Sequence, residues 1–436
     1  MFHPISPKRS IASVLVQMLL PPLLAYSLVL SLCVEVAASG HEDDKKTSDR
    51  KYFLYDVNHG EGFNLRRDVF MRIANCVRKL QEIGFNYILV LPPWGGMYHW
   101  DQPATKLPWS TFFDVRSIND FVPVIEFGEF LKETGNKAID EVIYLQAYKE
   151  GWTDGKFELK YDIRDCINGD RYYHLEDGKW HGWFFSYPNL YARSFKCVSF
   201  QGDSGTLADY VAKNLSNHNS IFIDRAETAL HEHFGDKYYW QARRSMRYAN
   251  HLIEIGNRFR SEKLNSNDKD DRTVMLKNWK NDKKDYLKGR GGPYICVHWR
   301  RRDFIRAHPK EIPSIEGTAR QLNRILEENN LTTIFLSSDA SVDESKHLES
   351  LISFGSALVR FTARVEDNLT DGEIAVIDQW ICSHARYFIG SYVSTFSYRI
   401  QEDREILGFH PSTTFNRLCP DQKSDCEQPA RWKIVY

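Results

Sequence analysis

The sequence predicts an α/β protein with two domains that face each other across a cleft. Short apolar runs typical of buried strands alternate with helical patterns in both halves of the chain. Residues 86–91 are continuously apolar, as in parallel strands that are covered on both faces. A polar stretch at 265–292 separates the two halves. Because ligands of such folds bind at the carboxyl ends of the strands, the cleft is the expected functional site.

The first domain is predicted over residues 51–264. A segment rich in tryptophan and tyrosine, at about 150–200, is interpreted as an insertion. Strands are predicted at 52–57, 86–91, 123–127, 141–148 and 220–224. Helices are predicted at 65–84, 225–234 and 238–264.

The second domain, residues 293–436, repeats this alternation. Strands are predicted at 294–298, 332–336, 359–361 and 387–390, and helices at 314–328, 346–353, 373–386 and 394–407. The intervening residues 265–292 are interpreted as a linker. They contain Asp268-Lys269-Asp270, formally a metal-binding D-x-D pattern, which is interpreted as solvated because no strand precedes it.

Length and composition are those of a globular protein. The 436 residues suffice for two sizeable cores, and 42% of them are hydrophobic. The formal net charge is −1. This balance argues against nucleic acid as the main partner.

The N-terminus is predicted to be a signal peptide covering residues 1–38. A basic start is followed by a mostly apolar run at 11–36 and by small residues at 37–40. Cleavage near Ala38 is favoured over an uncleaved anchor, because Pro21-Pro22 interrupts the apolar run. Residues 39–50 are then a charged, disordered leader. The mature protein is expected in the lumen of the secretory pathway, without stable membrane insertion.

Sequons and cysteines agree with that compartment. The N-glycosylation sequons begin at Asn214, Asn330 and Asn368. One of the eight cysteines lies in the predicted signal. The predicted disulfides are Cys419–Cys426, which bracket a polar loop, and Cys166–Cys197, which flank the aromatic insertion. The remaining Cys76, Cys296 and Cys382 lie in apolar patterns and are interpreted as buried thiols.

A glycine turn, Gly60-Glu61-Gly62-Phe63-Asn64, follows the first predicted strand. A strand, a tight turn and a helix that begins after Asn64 would form a corner that favours anions. Glu61 would repel an anion, and a chemical reason for its position is to deprotonate an incoming hydroxyl. The alternative is a solvent-exposed loop carboxylate. The dinucleotide fingerprint is incomplete, because Leu65 stands where a third glycine belongs.

Two candidates for binding phosphate lie in the second half. Arg300 follows a predicted strand, and its guanidinium could bind two phosphate oxygens and neutralise a leaving pyrophosphate. An interdomain salt bridge is the alternative. The hydroxyl-rich stretch 391–397 opens the last predicted helix and could form a second anion-binding corner. Asp378, in a mostly apolar stretch, needs a partner, which could be the N1–H and N2–H donors of guanine or a structural group.

Five segments, in this order, resemble the GDP-fucose protein O-fucosyltransferases. They are residues 56–68, 92–95, 298–300, 377–382 and 394–399. The sequence is most similar to the second type in that family, which modifies thrombospondin type 1 repeats. The resemblance extends from about Tyr52 to Tyr436.

This resemblance implies a glycosyltransferase-B-like fold of two Rossmann-like domains. It also implies an inverting transfer of fucose from GDP-fucose to Ser or Thr hydroxyls of folded repeats, with Glu61 as base and Arg300 on the pyrophosphate. The residues implied in donor binding are Gly60, Glu61, Gly62, Phe63, Asn64, His298, Trp299, Arg300, Asp378, Thr395 and Phe396. A helix acid of the family corresponds to Asp403, where a glutamate is expected. Lacking a credible D-x-D, the site is expected to need no metal or other cofactor.

Other functions are weighed against this one. A catalytically silent protein could bind disulfide-rich repeats for quality control, although Glu61 and Arg300 are both present. A related transferase could act on epidermal-growth-factor-like repeats. A nicotinamide dehydrogenase is a distant third. Since the acceptor repeats fold in the endoplasmic reticulum, its lumen is the expected location.

Overall fold

Two sheets, one in each half of the chain, organise the residues that the structure describes. The structure is a computed structural model, and it describes residues 50–97, 100, 106–135, 138–423 and 425–436. The predicted signal peptide and nearly all of the leader lie outside this range. Residues 51–436 form one compact unit.

The first half contains nine strands among its described residues. They are β1 (Lys51–Tyr55), β2 (Tyr87–Leu91), β3 (Val124–Glu126), β4 (Ala138–Gln146), β5 (Lys160–Ile163), β6 (His174–Glu176), β7 (Lys179–His181), β8 (Tyr191–Gln201) and β9 (Ser220–Asp224). They join in the order β3-β2-β1-β9-β4-β8-β7-β6, and β5 pairs with β8. From β3 to β8 the pairing is parallel, whereas β5, β6 and β7 pair antiparallel.

The described residues of this half and of the predicted linker contain seven α-helices. They are α1 (Phe63–Glu82), α2 (Val115–Asn119), α3 (Phe127–Thr134), α4 (Ser204–Asn214), α5 (Lys237–Ser245), α6 (Asn250–Leu264) and, in the predicted linker, α7 (Asp268–Asp271). In α1 the apolar side chains recur at helical spacing and are buried, Val69, Ile73, Val77 and Leu80 among them.

The second half contains a smaller sheet that is parallel throughout. Its strands are β10 (Gly292–Trp299), β11 (Thr333–Ser338), β12 (Ala357–Val359) and β13 (Ala385–Ile389), in the order β12-β11-β10-β13. Its helices are α8 (Arg302–Ala307), α9 (Ile315–Asn329), α10 (Val342–Ser350), α11 (Asp371–Ser383) and α12 (Thr395–Ile406). The predicted α/β class is confirmed.

Several predicted elements need correction. The helix predicted at 225–234 is a single turn, Ala226–Thr228, and the one predicted at 238–264 is divided into α5 and α6. This division lets Arg247 and Ala249 form backbone hydrogen bonds with Asp114 and Phe112 at 2.9 Å each. The predicted insertion contains most of β8, an eleven-residue strand of the main sheet. Helix α1 begins at Phe63, so its N-cap is Gly62 and not Asn64.

The predicted linker packs against both halves. Trp279 is buried, and its indole N–H donates to the carbonyl of Ser117 at 3.0 Å. Asp270 is exposed, in agreement with the interpretation of this stretch as solvated, whereas Asp268 is only 32% exposed. Its carboxylate accepts hydrogen bonds from Arg260 at 2.7 Å and Thr273 at 3.1 Å, so it holds the end of α6. One apolar core runs from Phe53 in the first sheet to Phe335 and Phe388 in the second.

Three disulfides link six of the seven described cysteines. Cys166–Cys197 and Cys419–Cys426 are the two predicted pairs. Cys296 and Cys382, interpreted above as thiols, are bonded to each other and join β10 to α11. Only Cys76 is a free, buried thiol among the described residues, and burial raises its pKa.

The Cys296–Cys382 bond is expected to stabilise the second half. It closes a separation of 86 residues, and a bond of this kind typically contributes about 2–4 kcal/mol to the free energy of unfolding. The double variant Cys296→Ala/Cys382→Ala should lose about that amount in urea unfolding. Cys76→Ala is the matched control, expected to cost only about 1 kcal/mol. Equal losses in the two variants would contradict the prediction.

The three sequon asparagines are exposed. Asn214 ends α4, whereas Asn330 and Asn368 follow helical turns with positive φ angles of 50° and 44°. Each position is therefore accessible for a glycan. Among the described residues, no helix combines the length and apolarity needed to cross a bilayer.

Candidate active site

The turn around Glu61 leaves the carboxyl end of β1 and leads into α1. Gly60 has a φ of +91°, a conformation that side chains other than glycine rarely adopt. The backbone of Glu61 is held at both ends: its N–H donates to Asn58 at 3.2 Å, and its carbonyl accepts from Arg66 Nε at 3.1 Å. Its partly exposed carboxylate forms no hydrogen bond or ion pair with another described residue. The backbone is thus fixed while the carboxylate stays open to a ligand.

The remaining residues of the turn serve mainly to position it. Phe63 is buried, and its ring packs on Trp94 and Phe112 with centroids 4.7 and 5.2 Å away. Its side chain therefore anchors α1 and does not face the cleft. The side-chain oxygen Oδ1 of Asn64 accepts a hydrogen bond from Gln379 Nε2 at 2.9 Å. This bond joins the turn to α11, next to Asp378.

Arg300 lies directly after β10, at the carboxyl end of the second sheet. Its N–H donates to Ser391 Oγ at 2.9 Å, which ties it to the loop before α12. Its guanidinium contacts the carboxylates of Asp303 at 2.7 Å and Asp339 at 3.0 Å. The cation is thereby oriented, and a phosphate that binds it would compete with these two carboxylates.

His298 and Trp299 point to opposite faces of β10, as alternate residues of a strand do. The imidazole of His298 stacks on Phe396 with centroids 4.4 Å apart, and its Nδ1 lies 2.8 Å from Ser397 Oγ. Burial, together with the nearby Arg300, lowers the pKa of His298 to about 3. His298 is therefore neutral at physiological pH. Trp299 instead lies in the core of the second half, so its side chain cannot line the cleft.

The first turn of α12 is the predicted second anion-binding corner. Ser394 is its N-cap, with extended backbone, and its side chain makes no capping hydrogen bond. The first N–H groups of the helix therefore remain for a ligand. Thr395 is exposed there, and Val393 just before it has a φ of +34°, which is strained for a β-branched residue.

Asp378 lies in α11 and is partly buried. Its Oδ2 accepts a hydrogen bond from Ser337 Oγ at 2.7 Å. Burial raises the pKa of Asp378 to about 7, although that bond and the charge of Arg360 oppose the shift. A ligand that donates further N–H groups to this carboxyl group would stabilise its ionised form.

Comparison with known proteins decides the family. The sequence profile of the GDP-fucose protein O-fucosyltransferase family matches residues 52–407. A Caenorhabditis elegans relative, GDP-fucose protein O-fucosyltransferase 2, is 52% identical over 392 residues, covering 89% of this chain and 91% of the relative. This chain belongs to the GDP-fucose protein O-fucosyltransferase family.

Further matches agree. The human GDP-fucose protein O-fucosyltransferase 2 is 45% identical over 394 residues, with 89% of this chain and 91% of the relative covered. The crystal structure of POFUT1 in complex with GDP-fucose matches with a TM-score of 0.53 at 15% identity, covering 84% of this chain and 98% of that one. The structural match supports the glycosyltransferase-B-like fold of two Rossmann-like domains. The family match makes this chain a glycosyltransferase, as the sequence motifs implied.

In this O-fucosyltransferase Asp403 lies in a polar network between the two halves. It accepts from Arg243 at 2.6 Å and from the hydroxyl of Tyr248 at 2.9 Å. The preceding residue, Glu402, is fully buried and binds Arg243 at 2.5 Å and Arg399 at 2.8 Å. Sequence reasoning named Asp403 and missed Glu402. The sequence did contain a signal for Glu402, because an arginine and a glutamate three residues apart on a predicted helix can form an ion pair.

Within the described residues, no group of three or more His, Cys, Asp or Glu side chains is placed to hold a metal ion.

Proposed function

We propose that this enzyme transfers fucose from GDP-fucose to a Ser or Thr hydroxyl of a folded thrombospondin type 1 repeat. The observation that carries this proposal is the connection between the Glu61 turn and the start of α12, since the Gln379 amide donates to Asn64 Oδ1 at 2.9 Å and to the Phe396 carbonyl at 3.5 Å. The open carboxylate of Glu61 lies at the end of the first sheet, and Arg300 with the N-terminus of α12 lies at the end of the second. The family match and the implied motifs support the donor and acceptor classes.

The reaction is a single displacement. Glu61 takes the proton of the acceptor hydroxyl, and the acceptor oxygen bonds to the anomeric carbon of fucose. The bond from that carbon to the β-phosphate oxygen breaks, and its electron pair leaves with GDP. Arg300 and the free N–H groups of α12 stabilise the negative charge that develops there. Attack opposite to the leaving group inverts the anomeric configuration.

His298 and Phe396 complete the donor site in this proposal. Because His298 is neutral, it adds no charge and can donate or accept a hydrogen bond with the sugar or phosphate. Asp378 accepts the N1–H and N2–H of guanine. The backbone of Gly60–Asn64 closes over the donor. The predicted secretory signal and the sequons support a location in the lumen of the endoplasmic reticulum.

The first test is release of GDP from GDP-fucose, with and without a folded thrombospondin repeat, in the presence of EDTA. We expect the repeat to stimulate release and EDTA to leave the rate unchanged, since Arg300 and the α12 N-terminus supply the positive charge. Binding of the repeat without turnover would favour a silent quality-control protein. Turnover only with an epidermal-growth-factor-like repeat would mean that the acceptor is wrong.

Guanine recognition by Asp378 predicts a pH dependence. Only the ionised carboxylate accepts both guanine donors, and the pKa of Asp378 is raised to about 7. The Kd for GDP should therefore rise as pH falls below 7, about tenfold per unit well below the pKa. Asp378→Asn should weaken GDP binding and remove the part of the pH dependence that comes from Asp378. Isothermal titration calorimetry between pH 5 and 8 would measure the Kd for GDP of both proteins. The phosphates of GDP titrate in both experiments, so only the difference between the two curves of Kd against pH reports on Asp378. Parallel curves for the two proteins would contradict the assignment.

A further inference from the structure

A cavity of about 430 Å³ lies beside the Glu61 turn, on the side of the first sheet. Its wall includes Asn58, whose carbonyl binds the N–H of Glu61, and Arg66, whose Nε binds the carbonyl of Glu61. His59, two residues before Glu61, contacts the ring of Trp183 edge to face at 5.6 Å. A molecule whose hydroxyl reaches Glu61 can therefore extend a neighbouring group into this cavity.

Aromatic rings form the mouth of the cavity. Tyr172 and Trp183 are 54% and 51% exposed, a large exposure for side chains of this size. Tyr172 stacks on Tyr144 with centroids 6.0 Å apart and planes 19° apart. These rings present faces and edges on which a planar or cationic group can stack.

The aromatic wall is held rigidly. The Cys166–Cys197 disulfide joins its segment to β8, and Gly169 packs so closely that an added Cβ would lie 2.6 Å from Cys197 Sγ. Tyr173 is buried and stacks on Phe195 with centroids 4.6 Å apart. The exposed rings therefore stand on a preformed surface, which lowers the entropic cost of binding.

Two acidic and two basic side chains share the inner end of the cavity, Asp56 and Asp224 beside Arg66 and Arg225. Asp56 lies near the guanidinium of Arg66, and Arg225 pairs with Glu227 at 2.7 Å. Asp224 has no ion-pair partner among the described residues. It accepts only from the Tyr173 hydroxyl at 2.8 Å and the backbone N–H of Arg225 at 2.7 Å.

Burying the charged form of Asp224 without a directly bound cation costs free energy. Burial, together with the charge of Glu227, raises the pKa of Asp224 to about 6, and the charge of Arg225 and the two hydrogen bonds offset this only in part. A cation that enters the cavity would supply the missing partner. A guanidinium fits better than an ammonium, since it is planar, stacks on aromatic rings and can bind a carboxylate with two N–H groups.

We propose that this cavity is an acceptor subsite that binds a cationic side chain, an arginine in particular, located close to the modified hydroxyl on the acceptor repeat. The proposal rests on the proposed function. Asp224 binds the guanidinium, while Tyr172 and Trp183 stack on it. The subsite thus selects acceptors by a residue that does not react.

Two enzyme variants test the aromatic wall. Trp183→Ala and Tyr172→Ala should each raise the KM for a folded thrombospondin repeat about tenfold, the effect of losing one stacked cation contact. The KM for GDP-fucose and the kcat should stay unchanged, because neither ring belongs to the donor site. Trp152→Ala is the matched control: Trp152 is 59% exposed but lies outside the cavity, so its variant should behave as wild type.

A double-mutant cycle identifies the partner. Each arginine and lysine of the repeat is changed singly to glutamine, and each repeat is assayed with wild type and with Asp224→Asn. At one cationic position the change should raise KM about tenfold with wild type and about twofold or less with Asp224→Asn. Additive effects at every position, together with a normal KM for Trp183→Ala, would overturn the subsite.

Failure of the subsite differs from failure of the proposed function. Transfer that proceeds equally well in the Trp183→Ala variant overturns the subsite and leaves the function standing. If wild type transfers nothing, equilibrium binding of the repeat to the GDP-bound enzyme replaces the rate assay. Binding that Trp183→Ala weakens about tenfold would then support the subsite and overturn the transfer reaction.

Discussion

Glu61→Gln should reduce fucose transfer by about 100- to 10,000-fold, the usual contribution of a general base. The amide has nearly the shape of the carboxylate but cannot accept the proton of the acceptor hydroxyl. Because the Glu61 carboxylate bonds to no other described residue, the substitution should leave folding and the affinity for GDP intact. The measurement is kcat for transfer to the folded repeat, with the Kd for GDP and the melting temperature of each variant.

Glu366→Gln is the matched control for this experiment. Glu366 is more exposed than Glu61 and lies in a helical turn of the second half, so its substitution should leave kcat unchanged. Near-normal turnover of Glu61→Gln with normal GDP affinity would mean that another group removes the proton.

Arg300→Ala should lower kcat/KM for GDP-fucose by at least about 100-fold, as expected when a donor to a developing anion is removed. The loss has two physical parts. The leaving phosphate loses its cation, and the carboxylates of Asp303 and Asp339 lose the partner that neutralises them. The two uncompensated carboxylates would then repel the anionic donor.

Arg300→Lys separates these two parts. The ammonium keeps the positive charge beside the carboxylates but lacks the planar pair of N–H groups that binds two oxygens at once. The Arg300→Lys variant should bind GDP more tightly than the Arg300→Ala variant does, and its turnover should stay well below that of the wild type. Arg306→Ala, six residues further on in α8, removes an exposed guanidinium and should leave the kinetics unchanged. If Arg300→Ala retained the wild-type KM and kcat, Arg300 would have only a structural role.

The elements that local pattern defines were predicted well. The β9 strand was predicted with its observed bounds, and the helix of the Glu61 turn was displaced by only two residues. These predictions work because buried strands and amphipathic helices each impose a short period on neighbouring residues. The comparisons likewise confirmed the family and the glycosyltransferase class that the motifs implied.

The errors arose where distant contacts override local pattern. Residues 238–264 carry a continuous helical pattern, yet the chain bends between α5 and α6 so that Tyr248 can reach Asp403. Cys296 and Cys382 each lie in an apolar pattern typical of a buried thiol. Only the packing of β10 against α11 reveals that they are bonded.

Residue types and order alone determined the α/β class, the glycine turn with its unusual Glu61, and the presence of Arg300 after a strand. These features depend on neighbours in the chain, so they can be recognised without coordinates. The tertiary structure decided which side chains face the cleft, placing Trp299 and Phe63 in the core and bonding Asn64 to Gln379 across 315 residues. It also formed the pocket around Asp224 from separate strands and a disulfide-bonded segment. Such contacts depend on how the sheets and helices pack, and no local pattern encodes them.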